Sequence, residues 1–446
     1  MELLKSKHEA TLDIVNNVLT GTAQMGITHL TTEDEQLDGR HIRLNGKDLL
    51  NFGSCSYLGL ELDERLKSGA IDAIMRYGTQ FSTSRAYVSI TPYREAEELL
   101  EKIYNRPVIL APTVTLGHSS NIPVLVGDND AAILDIQVHN SVNNACKDLK
   151  ARNIKMESIR HNRMDLLEDR LNELCAKHDK VWYFADGIYS MYGDAAPIKE
   201  LYALLDKYEN FYLYVDDAHG MSWAGPKGGG YVASQGPLHP KLYLVTGLAK
   251  SFGAAGGVLI FPNEEIRRRV RNCGGTMIFS GPLQPANLGA IIASAKLHLS
   301  DEINTLQDQM QKRMRFFNAT AKLYNIPIIN ATDSPIFFVG VGKPEVGYNM
   351  VSRLMKEGYY VNLSVFPSVS YNQTGLRMPI TLHHTLEDID GLLRCIAKNL
   401  PIALREENSY MEDIYKAFKM KKAISTNYLN IIRDIRQPAV SLIAKR

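Results

Sequence analysis

The chain has 446 residues, 45% hydrophobic and 22% charged, with a formal net charge of +1. That length supports a substantial core and two domains, and the near-neutral balance gives no electrostatic footprint for nucleic acid or a membrane. No apolar run approaches the ~20 residues of a spanning helix, and the start, MELLKSKHEATLDIV, lacks the apolar centre of a signal peptide. The five cysteines (Cys55, Cys146, Cys175, Cys273 and Cys395) are scattered and form no C-x-x-C. That fits a reduced, cytoplasmic protein without a structural metal.

Residues 1 to about 40 read as a helical arm and a polar connection, and Leu49 to Leu60, LLNFGSCSYLGL, as an extended or looped lead-in; together, residues 1–60 form the first expected segment. Leu66, Ala70, Ile71 and Ile74 give Asp63 to Tyr77 helical spacing. Thr79 to Thr91 is a small-residue loop, and Arg94 to Tyr104 is an amphipathic helix. Strand and helix then alternate. Strands are expected at Val108–Leu110, Ala131–Ile136, Asn153–Ile159 and Val181–Asp186. Helices are expected at Gly117–Val126, Asn140–Lys150, Met164–Lys177 and Ile198–Tyr208. Two further apolar runs, in FYLYVDDAHG (Phe211 to Gly220) and LYLVTGLAKSFGAAGG (Leu242 to Gly257), and a third at Gly257–Phe261 complete the series. The pattern predicts an α/β large domain over residues 61–300, with a mostly parallel seven-stranded sheet covered by helices on both faces.

Pro285 to about Leu323 reads as a long helical segment broken near Ser300, leading to a smaller α+β domain over residues 301–405. That domain has strands Ile336–Val341 and Leu376–Thr381 and helices Tyr348–Gly358 and Leu386–Asn399. Residues 406–446 form a basic extension. From Lys416 to Arg446 there are eight Lys or Arg against the single acid Asp434, with Tyr428, Ile431, Ile432 and Ile435 at helical spacing. This segment is either a solvated helical tail or a basic amphipathic surface for membrane headgroups or an acidic carrier protein.

Side chains just past the carboxyl ends of strands face the ligand crevice of an open α/β sheet. Asp216 and His219 follow one strand, Lys250 another and His139 a third. An amine, an anion and an imidazole converging there suit pyridoxal phosphate, which needs a Schiff-base lysine and a carboxylate partner for its pyridinium nitrogen. A buried Asp216 keeps that nitrogen protonated, because opposite charges favour each other's charged form. His219 is placed to reach the phenolic oxygen and His139 to stack on the ring. Asp217, one residue on, points to the opposite side of the strand. The turn TLGHSSN opens a helix whose N-terminal N–H groups would cup a phosphate, with Gly117 and His118 as the expected contacts. Ser190 follows another strand and offers a hydroxyl to cofactor or substrate. Arg377 is the candidate clamp for a substrate carboxylate, since its fork matches that group bidentately.

In this order these motifs resemble the α-oxoamine synthases, a family of fold-type-I pyridoxal-phosphate enzymes. They run from Y-L-G-L (Tyr57 to Leu60) and G-x-x-x-N (Gly117 to Asn121) through D-G-x-x-S-M-x-G-D-x-A-P (Asp186 to Pro197) and D-D-A-H-G (Asp216 to Gly220) to the Lys250 turn and L-R (Leu376, Arg377). The resemblance covers about Asn51 to Leu400. It implies the same roles for Lys250, Asp216, His219 and His139, and a cofactor contact for Ser190. It also implies a homodimer with the site at the subunit interface. Three positions depart from the family pattern. Gly247 stands where a phosphate-binding threonine is usual, which shifts that role to Thr246 or another donor. Gly281 replaces a small hydroxyl residue, leaving Ser280 as the partner-subunit phosphate contact. Cys55 and Ser56 occupy the segment that contacts the amino acid, in a GS-x-x-YLG form closest to the serine palmitoyltransferase-like branch. The implied reaction is decarboxylative condensation of a small amino acid, serine or a relative such as cysteate, with an acyl thioester carried by coenzyme A or acyl-carrier protein. Alternatives are a glycine- or alanine-using synthase of the 2-amino-3-ketobutyrate or 8-amino-7-oxononanoate type, an aminotransferase on the same fold, and a non-catalytic partner subunit. The last would be expected to lack Lys250.

Overall fold

The computed structural model describes residues 6–330 and 333–420, so most of the basic extension, including Tyr428 to Ile435, lies outside the described residues. In chain order the strands are β1 His41–Leu44, β2 Lys47–Phe52, β3 Val108–Ala111, β4 Ala131–Asp135, β5 Lys155–Ile159 and β6 Val181–Asp186. They continue as β7 Phe211–Asp216, β8 Leu242–Gly247, β9 Gly257–Ile260, β10 Ile336–Gly342, β11 Tyr359–Ser364 and β12 Thr374–Pro379.

The chain divides into two compact units. The larger holds Ser56–Ser190 and Asp194–Gln309 and carries a seven-stranded sheet in the order β3-β9-β8-β7-β6-β4-β5. Strands β8, β7, β6, β4 and β5 are mutually parallel. The strands from β3 across to β4 in that order are buried at every position or all but one, which is why they read as near-continuous apolar runs. Alternate side chains feed two apolar layers. Ile133, Tyr183, Leu213 and Leu244 join one, and Leu134, Phe184, Tyr214 and Val245 the other. β9 runs antiparallel to both β8 and β3, because the Leu248–Gly256 connection is too short for a crossover helix. The expected break near Ser300 is present. One helix, Pro285–His298, ends where Ser300 Oγ donates to Leu297 O, and the next, Glu302–Leu323, begins just beyond.

The smaller unit contains the residues up to Cys55, Met191–Gly193, and the chain from Met310 on. Its five-stranded sheet has the order β1-β2-β11-β12-β10. The segment expected as a lead-in from Leu49 thus begins inside a strand, β2, which pairs parallel with β11. The N-terminal residues therefore belong with the C-terminal unit. β11 was not expected at all, since its half-buried YYVNLS carries no clear alternation. Among the described residues no helix is long and apolar enough to cross a membrane.

Candidate active site

A cavity of about 370 Å³ opens at the carboxyl ends of β4, β6, β7 and β8 in the larger unit. Its walls include Thr113, Val114 and Thr115, His139 and Ser141, Asp186 and Ile188, Asp216, Ala218 and His219, and Gly247 and Lys250. The strand ends thus deliver the amine, the anion and both imidazoles expected from the sequence to one cavity.

Asp216 ends β7 and is buried. Its Oδ1 accepts the Ala218 N–H at 3.0 Å, and its Oδ2 accepts from His118 Nε2 at 2.9 Å. Burial opposes the charge, but the His118 hydrogen bond, with the positive fields of His118 and Lys250, holds this carboxyl below its ordinary range. Asp186 is its register partner on β6. There burial and the adjacent Asp216 charge push the carboxyl well above its ordinary range. The two carboxyls are thus shifted in opposite directions, as expected where close like charges repel.

His139 caps the helix Asn140–Ala145. Its Nδ1 accepts the Ser141 N–H at 3.3 Å and meets Ser141 Oγ at 2.7 Å, so the ring proton sits on Nε2. Burial lowers its pKa, Asp216 opposes that, and Lys250 lowers it further. The backbone N–H of His139 donates to Asp186 Oδ1 at 3.0 Å, fixing the turn. His219 Nδ1 lies 2.7 Å from the Tyr57 hydroxyl. Tyr57 is a positioning group that stands out in the sequence only as part of the Y-L-G-L motif.

The helix start expected to cup a phosphate lies elsewhere than the sequence suggests. The helix begins at Val114, with Thr113 as its cap accepting the Leu116 N–H, three residues before the expected start. Val114 and Thr115, the first two residues of the helix, line the cavity, and their N–H groups precede the first intrahelical acceptor. Gly117 lies past the first turn, its N–H bonded to Thr113 O. A β-carbon there would meet Leu259 Cδ2 at 2.9 Å, so this glycine serves helix-on-strand packing. His118 is fully buried, with Nδ1 on the Tyr214 hydroxyl and Nε2 on Asp216, and so supports Asp216. Thr246 lies on the β8 face of Leu244, its hydroxyl donating to Asp217 O at 3.2 Å, and it does not line the cavity. Alternation along the strand requires this, since Gly247 holds the cavity face. The hydroxyls on the cavity wall belong to Thr113, Thr115 and Ser141. Asp217 points to the opposite face, where its Oδ2 accepts the Val232 N–H.

Ser190 lies beyond the cavity lining, and Ser280 Oγ donates to Thr276 O at 2.5 Å. In the smaller unit Arg377, on β12, is buried with its guanidinium nitrogens 3.6 and 3.7 Å from Cys55 Sγ. Ser56 begins the larger unit and accepts the Gly59 N–H in the turn before Leu60.

The donor set fits pyridoxal phosphate. A buried carboxylate is bonded to His118, a lysine and a histidine share its cavity, and the first turn of a helix, the kind of terminus that suits a phosphate, forms part of the same wall. Fold and site together define a fold-type-I pyridoxal-phosphate transferase. A family model, "Aminotransferase class I and II", matches residues 47–396. The 8-amino-7-oxononanoate synthase of Fervidobacterium nodosum is 32% identical over 367 residues, covering 80% of this chain and 90% of the relative. The serine palmitoyltransferase of Sphingobacterium spiritivorum is 29% identical over 353 residues, covering 78% and 86%. In three dimensions the serine palmitoyltransferase of Sphingomonas wittichii superposes with a TM-score of 0.80 at 21% identity, covering 90% of this chain and 99% of that one. The chain belongs to the aminotransferase class I and II family, in its α-oxoamine synthase branch.

Proposed function

We propose that this chain condenses a small amino acid with an acyl thioester, with loss of carbon dioxide, to give an α-amino ketone. The observation that carries this reading is the His118-bonded Asp216 sharing one cavity with Lys250 and His139. Pyridoxal phosphate, when bound, supplies an electron sink for the pair left on the amino acid's α-carbon. Lys250 Nζ would hold the cofactor at rest, and its free amine then takes the α-proton. Asp216 would pair with the ring nitrogen and keep it protonated. His139 Nε2–H is a donor available to the acyl carbonyl oxygen, because Nδ1 is committed to Ser141. The Val114 and Thr115 N–H groups and the wall hydroxyls would receive the phosphate. Ser280 of a second subunit and Ser190 complete the proposed cofactor contacts in a homodimer.

For the amino acid we infer serine or a relative such as cysteate, selected near Cys55, Ser56 and Arg377, with the Arg377 fork taking the carboxylate. The likeness to 8-amino-7-oxononanoate synthases favours a second reading, an alanine-type substrate. The test offers purified protein serine, cysteate, alanine or glycine with acyl-coenzyme A or acyl-carrier protein, reading thiol release and product mass. The proposed reaction predicts release with at least one pair. A protein that binds the cofactor yet releases no thiol with any pair overturns it. Keto-acid formation without an acyl donor would instead indicate transamination. The basic extension is read as a surface for the acyl-carrier protein. Removing residues 421–446 then weakens that association and leaves the cofactor band intact, whereas unchanged carrier binding returns the segment to a solvated tail.

A further inference from the structure

One half-buried charge cluster outside the groups already assigned, with only its Asp135 fully buried, links two walls of the cavity. His161 follows β5. Its Nδ1 lies 2.9 Å from Asp135 Oδ1 and its Nε2 2.5 Å from Asp194 Oδ2. A ring with a carboxylate at each nitrogen donates from both and is an imidazolium. Burial opposes that charge, but the hydrogen bonds and fields of Asp135 and Asp194 outweigh it and raise the imidazole to about 9. Two phenols and the Asp186 carboxyl also neighbour the cluster. Tyr189 packs edge-on with its ring centroid 4.4 Å away, and the Tyr183 hydroxyl donates to Asp135 Oδ2 at 3.1 Å.

Each carboxylate anchors a different wall. Asp135 closes β4, and its Oδ1 also accepts the Gln137 N–H at 2.8 Å. The Val138 N–H returns to Asp135 O, so the turn that presents His139 is tied to this residue at two points. Asp194 sits in a hairpin in which Tyr189 N donates to Asp194 O and Ile188 bridges Ala195. Ile188 lines the cavity. Asn162 N, next to His161, donates to Asp135 Oδ2 and keeps the ring in register with β4.

We propose that His161 is a positioning residue, its imidazolium clamping the His139 turn to the Ile188 hairpin and so setting the spacing of two cavity walls. This rests on the reading of the cavity as the cofactor site. The group acts through others and touches neither cofactor nor reacting atoms. His161→Gln can hold one carboxylate but not both. Asp194→Asn keeps the hairpin's shape and weakens the charge pair.

The first measurement is hydrogen–deuterium exchange on the cofactor-free protein at pH 7. Both variants are expected to raise exchange in residues 135–140 and 187–196 together, by about fivefold or more, and to leave β7 and β8 unchanged. The second is kinetics on the loaded protein, where His161→Gln lowers kcat about tenfold with the amino-acid KM little changed, as expected when a reacting group is displaced rather than lost. Exchange that stays at the wild-type level, or rises in one segment only, overturns the clamp whatever the activity. If His161→Gln does not fold, Asp194→Asn decides alone. A wild type that forms no visible cofactor band sinks the cofactor reading instead, and the exchange result still decides the clamp.

Discussion

His118 Nε2 lies 2.9 Å from Asp216 Oδ2, both side chains buried, with the Tyr214 hydroxyl 2.8 Å from the opposite nitrogen of the same ring. The imidazole therefore keeps an anion in a place where burial alone would protonate it. Asp216 has a folded pKa below its ordinary one, so its contribution is present above the ordinary carboxylate range and is lost as pH falls through the folded value. His118→Phe removes the bond and moves that loss upward. The acidic limb of the kcat profile should shift up by about one pH unit or more, the equivalent of ~1.4 kcal/mol. An unmoved limb would show that Asp216 is held ionised by something else.

Thr113 and Thr246 are separated by strand alternation and by a helix cap. Thr113 lines the cavity and starts the helix that faces it, while Thr246 bonds Asp217 O on the far side of β8. Thr113→Val should weaken cofactor binding about tenfold, in line with the ~1 kcal/mol of a lost cap plus a lost contact. Thr246→Val should change it by less than about twofold, since it removes one neutral hydrogen bond remote from the ligand. Equilibrium titration of the visible cofactor band decides between them, and the reverse ranking would restore Thr246 as the phosphate donor.

How much of this was legible in the sequence follows from which signals are local. Fully buried strands such as β8 are uniform apolar runs, so they and the acid and lysine after them could be placed directly. The Val114 start is faint because Leu116 stands where Glu or Gln would complete a capping box with Thr113, while Gly117 looks like a turn. The role of His118 depends on Tyr214 and Asp216, about a hundred residues away, and no spacing announces it. Strand β11 and the placement of β2 beside it are long-range pairings of half-buried segments, and neither has a local pattern to read. Gly247 reads as a departure from the sequence alone, but only the pleat shows that Thr246 lies on the other face of β8.

Lys250 follows β8 in a turn closed by the Gly253 N–H on its own carbonyl, and its side chain lines the cavity. Borohydride reduction of the loaded protein should add the cofactor's mass to a peptide containing Lys250. Lys250→Ala should fold, lose that adduct, and lose about 10³-fold or more in thiol release, the scale of a proton-transfer group combined with a covalent anchor. An adduct on another lysine would move the assignment.

Gly69 and Gly289 face each other where the helices Glu64–Tyr77 and Pro285–His298 cross. A β-carbon on Gly289 would stand 2.0 Å from Gly69 O, and one on Gly69 would stand 2.7 Å from Gly289 O. Backbone cannot yield as a flexible side chain does, so Gly289→Ala should destabilise by about 2 kcal/mol or more, as overpacking does. Gly21, inside the helix Lys7–Gln24, is the contrast, since a β-carbon there would meet nothing within 4 Å. Gly21→Ala should gain about 0.5–1 kcal/mol from helix propensity. Thermal melts of the two variants should move in opposite directions, and a shared direction would refute the packing argument.

Arg40 holds Asp388 with two parallel bonds, Nε to Oδ2 at 2.9 Å and a terminal nitrogen to Oδ1 at 2.7 Å, joining the segment before β1 to the start of the helix Leu386–Glu406. Asp388 is simultaneously part of that helix's capping box, accepting the Thr385 N–H at 2.8 Å. Burial raises the Asp388 pKa, while the Arg40 bonds and the cap outweigh it and lower it overall. The sign follows from that lowering: the pair stabilises the fold above the ordinary carboxylate range and fades as pH falls through the lowered folded value. Arg40→Ala should cost about 1–2 kcal/mol at pH 7, less than a fully buried pair because the guanidinium is partly in solvent. Arg40→Lys should recover only part of this, since an ammonium cannot make the fork. The measurement is the difference in Tm between wild type and Arg40→Ala from pH 7 to pH 3. That gap should narrow below about pH 4 as Asp388 takes up its proton, and a gap that stays constant across the range would show that Arg40 acts through packing rather than through its charge.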